Sequence, residues 1–201
     1  MKNKIMRKLI SISSILLLFS ISTFGQVNRV SISLGYPINM TNHWLVDKWE
    51  KPISLDLNFD HSKKYLLIGG GLKYSKSNIL WFRYYDSEKN TISSLTPYLK
   101  IGLNLDKKIV SLIPHIDLGY TAMITNVEIY NGGKGGFYSA IGLDCNFNIT
   151  DHIQFGLGAN YNMTFLKLDF EYEGAIHNDF IPTEDNFMKS LSINLNLTYR
   201  F

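Results

Sequence analysis

Leu191-Ser192-Ile193-Asn194-Leu195-Asn196-Leu197-Thr198-Tyr199-Arg200-Phe201 closes the chain. Leu191, Ile193, Leu195, Leu197, Tyr199 and Phe201 fall on one parity, and Ser192, Asn194, Asn196, Thr198 and Arg200 on the other. Successive side chains of an extended strand point to opposite faces, so this period of two gives the segment one greasy face and one polar face.

Working back from the C-terminus, seven more segments show the same period. Phe155, Leu157, Ala159, Tyr161 and Met163 oppose Gln154, Gly156, Gly158, Asn160 and Asn162. Phe137, Ile141, Leu143, Cys145, Phe147 and Ile149 oppose Tyr138, Gly142, Asp144, Asn146 and Asn148. Leu112, Ile116, Leu118 and Tyr120 oppose His115, Asp117 and Gly119, and Leu99, Ile101, Leu103 and Leu105 oppose Tyr98, Lys100, Gly102 and Asn104. Leu66, Ile68, Leu72 and Tyr74 form a third-strand apolar row. Ile53, Leu55, Leu57 and Phe59 oppose Ser54, Asp56 and Asn58, and Val30, Ile32, Leu34 and Tyr36 oppose Ser31, Ser33 and Gly35. The connections alternate: short polar turns at 60–64, 106–108 and 150–152, and long segments at about 37–51, 75–95, 121–136 and 166–189. Eight strands, short turns on one side and long loops on the other predict an all-β fold, an antiparallel up-and-down transmembrane barrel.

The physical reason is backbone satisfaction. Past residue 26 no apolar run approaches membrane-helix length, and in hydrocarbon only helices and closed sheets pair every N–H and C=O internally. A soluble barrel with an apolar inside would have to bury the strand charges, which share a parity with the glycines. Gly35, Gly69, Gly71, Gly102, Gly119, Gly142, Gly156 and Gly158 all fall on that inner parity, where they leave room for large side chains from facing strands. Aromatic residues mark two rims: Tyr36, Tyr74, Tyr120 and Phe137 at one end, Phe59, Phe147, Phe155, Tyr199 and Phe201 at the other. Asn131–Gly136 (NGGKGG) reads as the tip of a hairpin, Ile79–Tyr85 as a strand extension, and the shift of parity at Phe165 and Leu166 as a bulge.

The N-terminus reads as an export leader. Lys2, Lys4, Arg7 and Lys8 precede an uncharged apolar stretch at 9–22, and Thr23-Phe24-Gly25 supplies small residues for cleavage. This assigns residues 1–25 to a cleaved signal peptide and 26–201 to the barrel. The leader holds four of the twenty Lys and Arg, so the mature chain carries sixteen bases against seventeen acids. The near-zero balance removes any argument for nucleic acid from the basic pI. The one cysteine, Cys145, can form no intrachain disulfide.

The closing residues Asn194–Phe201 resemble the C-terminal targeting signal of outer-membrane proteins, with Asn196 where that signal usually has Gly. With the eight-strand pattern, the mature chain resembles the Gram-negative outer-membrane β-barrel domain family. The resemblance implies a monomer in the cell outer membrane among lipid and lipopolysaccharide. It further implies folding by periplasmic chaperones and the barrel-assembly machinery, with Tyr199 and Phe201 as the assembly signal.

An eight-stranded barrel is just wide enough for its inner side chains to fill it. Asp56, Lys73, Lys100, His115, Asp117, Asp144 and Arg200 fall on the inner parity. They are expected to form a paired-charge network that plugs the lumen, against the alternative of an ion path in a small solute channel. No cofactor, metal or catalytic residue is assigned. Asp144–Asn148 lacks the Gly and Glu that a calcium loop requires, and the histidines (His43, His61, His115, His152, His177) show no metal-ligand spacing, four of them falling in loops or turns. A lipid-modifying or hydrolytic enzyme built on Ser139, His177 and Asp179 is the alternative to a structural or surface-binding barrel. Trp44, Trp49, Trp81, Phe82, Tyr84 and Tyr85 give the long loops the character of a recognition surface.

Overall fold

The computed structural model describes residues 27–40, 48–80, 91–127, 130–166 and 187–201. They form strands β1 (Val27–Asn39), β2 (Lys48–Lys63), β3 (Leu66–Leu80), β4 (Thr91–Leu103), the short β5 (Leu105–Asp106), β6 (Val110–Val127), β7 (Tyr130–Asn148), β8 (Ile153–Leu166) and β9 (Phe187–Arg200). β4 and β5 are one stave, interrupted at Asn104, so the wall has eight staves. Each pairs antiparallel with its neighbours in sequence, β1 closes on β9, and β4 pairs with β6 across the β5 end, so the sheet has no free edge.

The register fixes the barrel's shape. Crossing the ladders from Asn39 leads through Ser190, Asn162, Ala140, Asp117, Lys100, Gly69 and Asp60, and returns to the first strand at Arg29. The circuit ends ten residues from its start, which is the barrel's shear. For eight strands at ~4.8 Å spacing and ~3.3 Å rise, that shear tilts the staves by about 40°.

Side-chain alternation sorts lipid side from lumen side as the sequence pattern demands. Leu, Ile, Phe and Tyr of the apolar rows stand exposed on the outer wall, while Ser, Asn, Thr, Asp and Lys of the other parity are buried within. At the short-turn end the outer aromatics form a chain of rings. Phe59 lies 6.4 Å from Phe201, Phe201 6.1 Å from Tyr199, and Tyr199 6.0 Å from His152. An aromatic girdle of this kind suits the bilayer–water boundary of a barrel.

Several boundaries depart from the sequence reading. Asn131–Gly136 is not a hairpin tip: all six residues lie in the β6–β7 ladder, which runs without a break up to Val127 and Tyr130. Glycines opposite a regular partner strand can continue a ladder, and turn composition alone misplaces the bend. Residues 60–63 belong to β2, and the turn contracts to Lys64–Tyr65, with Lys64 at a φ of 57°. His61 therefore lies in a strand, its Nδ1 2.9 Å from Asn28 Oδ1, rather than in a turn. The β7–β8 ladder runs regularly to Leu166, so no bulge sits at Phe165; a register shift lies instead in β2, between Glu50 and Ile53. Ile79 and Leu80 extend β3, whereas 81–85 lie outside the described residues.

Candidate functional site

The enclosed lumen is where the described residues place buried polar chemistry, in three levels. At the short-turn mouth Arg29, only 1% exposed, donates to Asn104 Oδ1 at 2.7 Å and stands 3.7 Å from Asp106. Arg200 donates to the same Asp106 carboxylate at 2.7 Å. Asn104 sits at the break between β4 and β5, where its side chain also accepts from Ser111 at 3.2 Å.

One level further in, Lys100 Nζ lies 4.0 Å from Asp60 and 3.8 Å from Asp144. Asp144 also accepts from Asn196 at 3.0 Å and stands 3.7 Å from His115 Nδ1. His115 Nε2 is 3.7 Å from Asp117, and its Nδ1 donates to the Ile113 carbonyl at 3.1 Å. Two glycines make this level possible. A Cβ on Gly142 would run into the His115 ring, and one on Gly158 into the Asp144 carboxylate. The free space here is about 10 Å³ between Arg29, Asp60 and Asp144, room for about one water.

The third level is aromatic. Tyr98 and Tyr138 reach in from β4 and β7, their rings 6.3 Å apart. Tyr98 donates to Asp56 at 2.7 Å. Tyr138 and Lys73 both donate to Asn162 Oδ1, at 2.8 and 2.9 Å, and the Lys73 ammonium lies 5.8 Å from the Tyr138 ring centre. Above this floor the lumen widens into a hydroxyl-lined cavity of about 70 Å³ that faces the long connections.

Of the residues singled out in the sequence, Lys100, His115, Asp117 and Asp144 meet in one cluster. Arg200 lies apart at the mouth. Asp56 and Lys73 are ladder partners one level up, with Tyr98 holding the carboxylate. Tyr199 and Phe201 face outward, in the ring chain. Arg29, Asp60 and Asp106 join the lumen network although the sequence pattern does not single them out, and Asn104, which it places on the inner parity, joins it too. Arg29 precedes the first clear alternation, and Asp60 and Asp106 sit in runs that read as turns. Parity is the signal that points to them, since each continues the inner row of its strand. Five aspartates (Asp56, Asp60, Asp106, Asp117, Asp144) thus face four bases (Arg29, Lys73, Lys100, Arg200) and His115 among the described residues.

Ser139 lies on the outward parity of β7 between Phe137 and Ile141, away from the lumen. His43, His177, Asp179, Trp44, Trp81, Phe82, Tyr84 and Tyr85 lie outside the described residues. Trp49 pairs through its backbone with Ile79.

Among solved structures, the chain is similar to the attachment invasion locus protein Ail of Yersinia pestis, with a TM-score of 0.56 at 13% identity over 89% of this chain and 100% of that one. It is similar to Neisserial surface protein A, with a TM-score of 0.56 at 10% identity over 89% and 98%. A major outer membrane protein of Thermus thermophilus aligns with a TM-score of 0.54 at 11% identity over 89% and 100%. No family model and no curated protein sequence matches the chain. At such identities the likeness is one of fold, and that fold is the eight-stranded outer-membrane β-barrel.

Proposed function

We propose that this protein, an outer-membrane β-barrel by fold, is non-enzymatic, carries an occluded lumen and works through its extracellular segments as a structural or surface-binding element. The observation that carries this reading is the crossing of the lumen by side chains from facing walls. Lys73 of β3 reaches Asn162 of β8 on the opposite wall, Tyr98 of β4 reaches Asp56 of β2, Lys100 of β4 stands 3.8 Å from Asp144 of β7, and the small cavity between Arg29, Asp60 and Asp144 admits about one water. Paired charges of this kind hold an interior closed, because separating them leaves uncompensated charge in a confined, poorly hydrated space. The aromatic content of the long connections supports a recognition role on the outer face.

Under this reading the short turns and both termini of the mature chain face the periplasm. The leader is removed to leave Gln26 first, and Tyr199 and Phe201 present the last strand to the assembly machinery. The barrel is a monomer, its apolar wall in contact with lipid and lipopolysaccharide.

Planar-bilayer recording on the purified barrel is the direct test. The expected record is a flat baseline at voltages that leave the bilayer intact. Steady single-channel steps would replace the plug with a pore. The enzymatic alternative is examined by incubating the same preparation with phospholipid and lipopolysaccharide, where turnover lost on His177→Ala would overturn the non-enzymatic assignment.

A further inference from the structure

We propose that the outer half of the lumen is a binding vestibule for an oxyanion group (phosphate, sulfate or carboxylate) with Lys73 as its charge partner. The cavity of about 70 Å³ is walled by hydroxyls from several strands, among them Ser75, Ser94, Thr96, Thr121 and Ser192. Among the described residues no acid lines it, and two lysines do, Lys73 at the floor and Lys76. Ser75 pairs with Ser94 at 2.6 Å and Thr96 with Thr121 at 2.8 Å, and each pair keeps one hydroxyl hydrogen that can turn toward an anion without fixing its identity.

The ammonium is the specific element. Lys73 is only 8% exposed, yet it forms no ion pair among the described residues. Asp56 stands opposite it in the β2–β3 ladder, but that carboxylate accepts the Tyr98 hydroxyl instead. Of the three ammonium hydrogens one goes to Asn162 Oδ1 and one side faces the Tyr138 ring. Asn162 is itself fixed, its amide donating to Ser192 Oγ at 2.9 Å and to the Asn160 carbonyl at 3.1 Å. The remaining donor capacity of Lys73 is directed into the cavity it lines. Asp56 and Asp117 act on the ammonium only from beyond ion-pair distance, and an anion entering from above would give it a direct partner. Every other lumen base has an aspartate within 4.0 Å: Arg29 and Arg200 have Asp106, and Lys100 has Asp60 and Asp144. Lys73 alone among these described bases has no carboxylate within ion-pair distance.

The inference does not depend on what the outer loops bind. It is tested by calorimetric titration of the folded, full-length barrel in zwitterionic detergent with sodium phosphate, sodium sulfate and glucose 6-phosphate. Saturable one-site binding of at least one of these is expected. Lys73→Met should weaken it at least about tenfold, the loss of a charged hydrogen bond, and Lys76→Met by less than about threefold. Tighter binding of glucose 6-phosphate would assign the group to a phosphorylated sugar, and parity with inorganic phosphate to the bare ion; both support the site. Compact migration on unboiled gels checks that each variant is folded. Should Lys73→Met fail to fold, Ser94→Leu fills the cavity from its wall and leaves the ammonium in place; it too should weaken binding at least about tenfold. Absence of binding by the folded barrel, or unchanged affinity in the variants, overturns the proposal.

Discussion

Leu143 and Asn146 stand three residues apart on β7 and meet opposite surroundings. Leu143 is 49% exposed on the outer wall, and Asn146 is 3% exposed within the lumen, against Gly156 of β8. A base on the lipid face near mid-bilayer costs about 2–4 kcal/mol, so Leu143→Arg should sharply reduce the folded fraction recovered from the outer membrane. Asn146→Ser keeps a polar group in a polar interior and should fold near wild-type levels. Equal yields from the two variants on unboiled gels would contradict the assigned faces. Such face assignments are legible wherever apolar and polar residues strictly alternate, as they do through Leu143. They fail where the inner row enters a polar run. Asp60-His61-Ser62-Lys63-Lys64 has the composition of a turn, so Asp60 reads as solvent-exposed although it belongs to the ion cluster around Lys100. The buried apolar residues Leu67 and Ile113 escape for the converse reason, because each sits beside an outward apolar neighbour and blurs the period.

Among the strands, β9 has the clearest alternation and the most exposed duty, since it closes the barrel against β1. Its register with β1 runs unbroken from Arg200 to Ser190, and the terminal residue extends it. Phe201 N donates to Asn28 O and Phe201 O accepts from Asn28 N, both at 3.0 Å. Its ring meets Phe59 of the second strand and Tyr199 of its own. Deleting Phe201 removes two backbone hydrogen bonds, each worth about 1 kcal/mol, together with an interfacial ring. Phe201→Leu removes only the ring. Pulse-chase assembly in cells should therefore show a severalfold loss of compact barrel for the deletion and a milder one for Phe201→Leu; an undiminished deletion variant would remove the terminal residue from the assembly signal. The ends of other strands are less readable. β7 runs for 19 residues, about twice what crosses a bilayer. Beyond the lipid the outer face no longer needs to be apolar, so alternation fades while the ladder continues, as at Asn131–Gly136. Pro97 and Pro114 each lack an N–H, and the β4–β6 ladder has gaps where they face Tyr120 and Leu103.

For the molecule as a whole, closure and charge balance are one problem. A shear of ten on eight staves gives a cylinder narrow enough that side chains from opposite walls meet, so every lumen charge has others within reach. The closed, polar-lined barrel follows from eight amphipathic segments and backbone satisfaction; which charges pair does not, because that depends on a register no single strand encodes. Lys100 is the centre of the balance, the only lysine or arginine among the described residues that stands near two lumen carboxylates at once, Asp60 and Asp144. Lys100→Met leaves both without their cation in a confined interior, a change that costs about 3–5 kcal/mol for a buried pair. Its urea midpoint in lipid vesicles, followed by the loss of compact gel mobility, should drop accordingly. Adding Asp60→Asn to Lys100→Met removes one orphaned carboxylate, while Asp144 keeps Asn196 and His115. The double variant should therefore recover a substantial part of the loss. Additive effects of the two changes would mean that Lys100 and Asp60 do not act as a pair, and that the interior is held by packing alone.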